Sequence, residues 1–121
     1  MGMDVFGTNG NYFRANIWQW RAICYAIHLS GYQVPEGWHI NDGEGLETQE
    51  ECNIMVEQLR QFLMKWNGDR LTYETQEMRV DDEGRFVDPG TPNSHSPYWV
   101  SREHLEEFID FLKSCDGFAI H

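Results

Sequence analysis

Apolar side chains dominate the segment 12–31, YFRANIWQWRAICYAIHLSG, which apart from two arginines and a histidine is almost wholly apolar or amide. Ile17, Trp18, Trp20, Ala22, Ile23, Cys24, Tyr25, Ala26, Ile27 and Leu29 fill ten of the fifteen positions from 17 to 31. A surface helix with one apolar stripe keeps its far face polar. This segment is therefore expected to be covered on two sides, as a central helix against which two later amphipathic helices pack. Asn11 or Asn16 is the expected cap, according to whether the helix starts near Tyr12 or near Ile17. Gly31 is placed to end it in a left-handed conformation.

The second helix is the most sharply patterned. Thr48 followed by Glu51 reads as a capping box, with Glu50 and Glu51 where the helix dipole favours negative charge. Cys52, Met55, Val56, Leu59, Phe62, Leu63 and Trp66 then recur at three-and-four spacing, and Asn67-Gly68 closes the run. A third helix starts at Ser101, buries Leu105, Phe108, Ile109 and Leu112, extends its stripe to Cys115 and stops at Asp116-Gly117. Phe118 and Ile120 would fold back as a clasp or short strand. Val5 and Phe6 similarly read as a short strand or a core contact.

Between the helices the pattern breaks. Residues 32–47, YQVPEGWHINDGEGLE, form a long glycine-bearing connector anchored by Trp38 and Ile40. In 69–88 the alternation of Leu71, Tyr73 and Thr75, and of Met78 and Val80, suggests strands. The DDEG at 81–84 would turn a hairpin pairing 76–80 with 85–88, against a rival helix through 70–80. Residues 88–100 hold three of the four prolines and read as an ordered loop. The expected fold is one small α+β domain over 1–121, mostly helical, with three main helices, a minor hairpin and long loops.

Charge changes the functional picture more than composition does. The 121 residues carry 9 basic and 20 acidic side chains, net −11. Residues 1–35 are slightly positive, whereas Glu36, Asp42, Glu44, Glu47, Glu50, Glu51 and Glu57 give 36–58 a charge of −7 with no Lys or Arg. Such a field repels phosphate, so direct binding to a nucleic-acid backbone is disfavoured; a basic protein partner, a cation or simple solubility suits it. Three cysteines without a CxxC pair, each on the apolar face of an expected helix, read as reduced core thiols. Neither a signal-peptide pattern nor a membrane-spanning apolar run is present, which leads to an expectation of a cytoplasmic protein.

No nucleotide-binding, P-loop or nucleophile-elbow motif occurs, so catalysis and cofactors are not expected. Ser94-His95-Ser96 is adjacency in sequence and defines no triad. Candidate partner-binding residues are Arg14, Trp18, Trp38, Asp42, Glu44, Glu47 and Glu51. Trp18 and Trp20 point about 200° apart on a helix, so one of them is expected to be exposed. The plainer reading of Arg14 and Arg21 pairs them with the acidic second helix. The alternative function is a small-molecule or divalent-metal domain using His39 and Asp42 in the glycine-rich loop, although the spacing fits no known ion-binding loop.

Three short stretches resemble a family of small uncharacterised proteins of bacteria and their phages. They are Asp4-Val5-Phe6-Gly7 with Tyr12-Phe13-Arg14, Asn16, Trp18 and Trp20-Arg21; the Asn41-Asp42-Gly43 turn; and the tail Phe111-Leu112-Lys113-Ser114-Cys115-Asp116-Gly117-Phe118. Ala22 stands where that family often has proline, and Asp116 replaces the first of two glycines. The chain lacks the cysteine-rich insertion of some relatives, so no zinc inference carries over. The resemblance implies a phage- or mobile-element-linked origin and no chemistry. Size and charge together suggest a non-enzymatic acidic interaction module, such as an inhibitor of a basic host or defence protein.

Overall fold

The computed structural model describes residues 2–40, 43–66, 68–73, 79–80, 82–84, 86–87 and 98–121. At its centre lies helix α1, Ile17–Leu29. Asn16 caps it, accepting from the Gln19 backbone N–H while the Gln19 side chain accepts from the Asn16 N–H, a reciprocal box that fixes the start at Ile17. The residues before it, Tyr12–Asn16, are therefore a strand, β2. Six consecutive residues of α1, Ala22 to Ile27, are buried. At 100° per residue they pass all the way round the helix, so its middle is enclosed on every side. No acidic residue occupies its first turn, a loss of roughly 0.3–1 kcal/mol of dipole compensation. Burial of Trp20, Ile23 and Ile27 outweighs this, at roughly 1.5–3 kcal/mol for each large apolar side chain.

Strand β1, Gly2–Gly7, pairs antiparallel with β2 on one edge and with the C-terminal strand on the other, giving the order β2-β1-β7, where β7 is Phe118–Ile120. Val5 faces Phe13 and Ile120 in register. Alternation then sends Met3, Val5, Phe13, Ala15, Phe118 and Ile120 inward and leaves Phe6, Tyr12 and Arg14 on the outer face. The outer edge of β7 is also paired. Gly43 N–H donates to the Ile120 carbonyl at 2.7 Å, Ile120 N–H to Glu44 at 2.8 Å and Phe118 N–H to Leu46 at 2.7 Å. Residues 43–46 thus run antiparallel beside β7 as a covering strap.

Helix α2, Gln49–Lys65, begins at Thr48, whose hydroxyl accepts from Glu51 N–H. The Glu51 carboxylate accepts from Glu47 N–H and the Thr48 hydroxyl and not from Thr48 N–H, so the expected reciprocal box is not closed. Helix α3, Arg102–Leu112, is capped by Ser101 and buries Leu105, Phe108, Ile109, Phe111 and Leu112. Gln49, at the start of α2, donates to the Leu112 carbonyl and accepts from Asp116 N–H, so the two helices lie antiparallel. Two short ribbons complete the fold. Strand β3, Arg70–Thr72, pairs with β6, Trp99–Ser101, and β4, Arg79–Val80, with β5, Phe86–Val87. The hairpin expected between 76–80 and 85–88 is present in its described part, and the rival helix through 70–80 is excluded by the β3 strand. The expected loop 88–100 falls outside the described residues up to 97, and its end is strand. No helix of the described residues is long and apolar enough to cross a membrane.

Three sequence expectations need correction. Ile40 is not an anchor: it is 58% exposed, at the extended residue that ends the 3-10 turn. Cys115 lies beyond α3, in the bend before β7, not on a helix face. Arg14 and Arg21 do not pair with α2. Arg14 sits 3.9 Å from Asp4 on the neighbouring strand, and Arg21 lies over the rings of Tyr73 and Tyr98 at 5.3 and 5.6 Å.

One arginine unmarked by any motif ties α2 to α3. Arg102 donates from Nη2 to the Leu63 carbonyl at 2.7 Å, and from Nη1 to Trp66 at 2.8 Å and Gly68 at 3.2 Å. These include terminal carbonyls of α2 that the helix itself leaves unpaired. The Arg102→Met variant keeps the apolar stem and removes the donors. It is expected to lose about 2 kcal/mol, since hydrogen bonds to a charged group are each worth roughly 1.5–3 kcal/mol. Urea unfolding measures the difference, and a change within noise would show that water replaces the guanidinium without cost.

Candidate functional site

The connector 32–47 is held down by one buried contact. The Trp20 indole N–H donates to the Trp38 carbonyl at 2.6 Å, so α1 grips the 3-10 turn Glu36–His39. Trp38 itself is 2% exposed, stacked on Tyr32 at 5.6 Å and edge-on to Phe118 at 5.4 Å. Two glycines let the strap close over it. A Cβ on Gly37 would overlap the Glu44 carboxylate at 1.5 Å, and one on Gly45 would meet the Phe118 carbonyl oxygen at 2.0 Å. Gly45 has no room for a side chain because the obstacle is backbone, whereas one at Gly37 would have to displace the exposed Glu44 carboxylate.

Strap and sheet edge enclose an open cleft of about 740 Å³. Phe6, Pro35, Trp38, Leu46 and Phe118 supply apolar walls and floor, and Glu44 and Glu47 stand in the lining as exposed carboxylates. Glu36, Glu50 and Glu51 are exposed on the flanking turn and helix start. Three of the seven candidate partner-binding residues, Trp38, Glu44 and Glu47, thus share one site. Glu51 lies beside it with its carboxylate engaged in the start of α2. Asp42 falls outside the described residues, as do Asn41 and His95.

Arg14 and Trp18 belong elsewhere. Arg14 is on β2, separated from the cleft-lining β7 by β1. Trp18 is 45% exposed and Trp20 is 1% exposed, which settles which of the two faces solvent. His39 ends the 3-10 turn. Partial burial, with the Arg21 charge second and Glu36 opposing, lowers its pKa from the ordinary histidine value. Among the described residues, no group of three or more His, Cys, Asp or Glu side chains is arranged to hold a metal ion.

Phe6, Leu46 and Phe118 were not singled out as site residues. The signal was present in Gly45 and Gly117, where backbone must approach backbone, and in Gly43, whose φ is positive. His104, 3.8 Å from Glu107 on α3, also packs its ring against Phe13 at 5.0 Å. No protein-family model, curated protein or solved structure matches the chain. The cleft's own chemistry therefore carries the functional reading.

Gly45→Ala tests the strap directly. The added methyl meets a backbone oxygen that cannot rotate away, so the 43–46 pairing with β7 must open. Overpacking of this kind costs about 1–3 kcal/mol. Thermal unfolding should show that loss, with hydrogen exchange at Phe118 and Ile120 amides accelerated. Unchanged exchange at both amides would mean that the strap does not depend on the glycine.

Proposed function

We propose that this chain is a non-enzymatic interaction module that takes a basic segment of a partner protein at the acidic cleft. The observation that supports this best is the juxtaposition of Glu44 and Glu47 with the apolar surface of Phe6, Leu46 and Phe118 in one open lining. A lysine or arginine is matched by such a surface along its whole length. Its methylene stem covers apolar wall, and its charged head reaches carboxylates. The Phe6 ring, 46% exposed, offers a further cation–π face. The surrounding negative potential speeds encounter with a basic partner and rejects phosphate backbones.

An inhibitor or immunity-type protein directed at a basic host or defence protein is the role that size, charge and cleft fit together. Regularly spaced carboxylates imitate phosphates, so a nucleic-acid-binding surface is the natural target of such a module. The same chemistry needs no cofactor and no reacting group.

The test compares immobilised wild type with Glu47→Lys and with Glu57→Lys, an equal charge change on α2 outside the cleft lining. The probe is a short arginine-rich peptide, followed by capture from lysate. Wild type is expected to bind at low salt and to weaken as salt rises. Glu47→Lys should lose at least tenfold in affinity while Glu57→Lys loses less than threefold. Equal losses in both variants would reduce the interaction to net charge and sink the cleft. Absence of binding at either salt would do the same.

A further inference from the structure

The sulfurs of Cys52 and Cys115 lie 3.6 Å apart, at van der Waals contact, although the residues are 63 positions apart in sequence. Both are free cysteines and both are fully buried. Cys52 sits in the first turns of α2, and Cys115 in the bend between α3 and β7. Nothing about packing alone requires two thiols to face each other; a pair of alanines or valines would fill a core as well.

We propose that Cys52 and Cys115 are an oxidisable dithiol that closes to an intramolecular disulfide when the protein meets a peroxide. The site is one residue deep. Ser114 and Asp116, on either side of Cys115, are exposed, so the chain beside this buried sulfur runs along the surface. Only a small oxidant suits such an approach. Glu51 and Asn53 beside Cys52 are exposed as well, but Cys52 is held in the backbone ladder of α2 whereas Cys115 lies in a bend outside any helix, which makes Cys115 the attacking partner on geometry. Its electrostatics agree: the hydrogen bond with Cys52, then the backbone N–H groups of Gly117 and Cys115, lower its thiol against the opposing effects of burial and the Asp116 charge. Cys52 is pushed up, first by that same hydrogen bond and then by burial.

The steps balance. The Cys115 thiolate attacks one peroxide oxygen, the O–O bond breaks, and the leaving hydroxide takes a proton to become water. Cys115 is then a sulfenic acid. The Cys52 sulfur, giving up its proton, attacks the Cys115 sulfur; the S–O bond breaks and a second water leaves. Two thiols and one hydrogen peroxide thus give one disulfide and two waters. Closure needs the sulfurs to approach from 3.6 Å to a bond of about 2.05 Å. Cys24 cannot take part in the same way. It lies on the enclosed middle of α1, and burial raises its thiol.

This inference does not depend on the cleft's partner. The experiment treats the full reduced chain with hydrogen peroxide, blocks remaining thiols under denaturing conditions and maps peptides by mass spectrometry. The expected result is a loss of two hydrogen masses, a linked Cys52–Cys115 peptide, one blocked thiol at Cys24 and reversal by dithiothreitol. Cys24→Ser should behave as wild type. Cys52→Ser, which lacks the resolving sulfur, should stop at a sulfenic acid trapped by dimedone at position 115. Three blocked thiols after peroxide, a link involving Cys24, or only links between chains would overturn the proposal. Because wild type and Cys24→Ser carry the decisive readouts, misfolding of the Cys52 variant leaves the test intact.

Discussion

The whole arrangement depends on α1 being enclosed. A helix buried all round at its middle can stand only where other elements cover each side, and several of the covering elements here are too short to hold themselves. The sheet covers one side, α2 another, and the β3–β6 ribbon and the 3-10 turn the rest. A strand of three residues or a single 3-10 turn has no independent stability in water. Their order comes from the apolar surface they share with α1. The Trp20–Trp38 hydrogen bond is where this constraint meets the candidate site, because it fixes the connector's backbone and not only a side chain. A buried indole N–H left without a partner would cost roughly 1–3 kcal/mol, so the turn and the helix hold each other in place.

That dependence also explains what was legible in the sequence. The helices were readable because periodicity and caps are local: Thr48, Ser101 and Gly31 stand where the helices begin and end, and the α2 stripe is buried as its spacing indicated. The sheet was much less readable. Tyr12–Asn16 merges into an apolar run that a helix continues, and only the Asn16–Gln19 box marks the boundary. Strand β7 has three residues, too few for an alternation to show. Pairing between positions 5 and 120 is a long-range fact that no local pattern encodes. The strap 43–46 was invisible as an element because it is held by backbone bonds and glycine clearance, and its sequence resembles any polar turn.

Asp116 and Gly117 both have positive φ, 59° and 101°, so the reversal into β7 asks for two residues tolerant of the left-handed region. Two glycines meet that demand without strain, and aspartate is among the side chains that visit the region most readily. The same reversal positions the Cys115 sulfur and feeds β7 into the cleft wall. One tight turn therefore serves the dithiol, the sheet edge and the acidic cleft at once. Asp110, by contrast, lines a second pocket with Leu63, Met64 and Ile109 but shares it with Arg60, Arg102 and Lys113, the last 3.1 Å away, so its charge is met by cations, whereas the described residues lining the cleft beside Glu44 and Glu47 include no Lys or Arg.

The acidic cleft is proposed as a binding site and not merely a charged surface. Titration of isotopically labelled protein with a short arginine-rich peptide, followed by amide and indole chemical shifts, tests it most directly. The account requires saturable shifts concentrated at residues 35–39, 43–47 and 118–119, including the Trp38 indole, that fade as salt rises. Shifts spread evenly over the acidic faces of α2 and α3, with Trp38 unmoved, would contradict it.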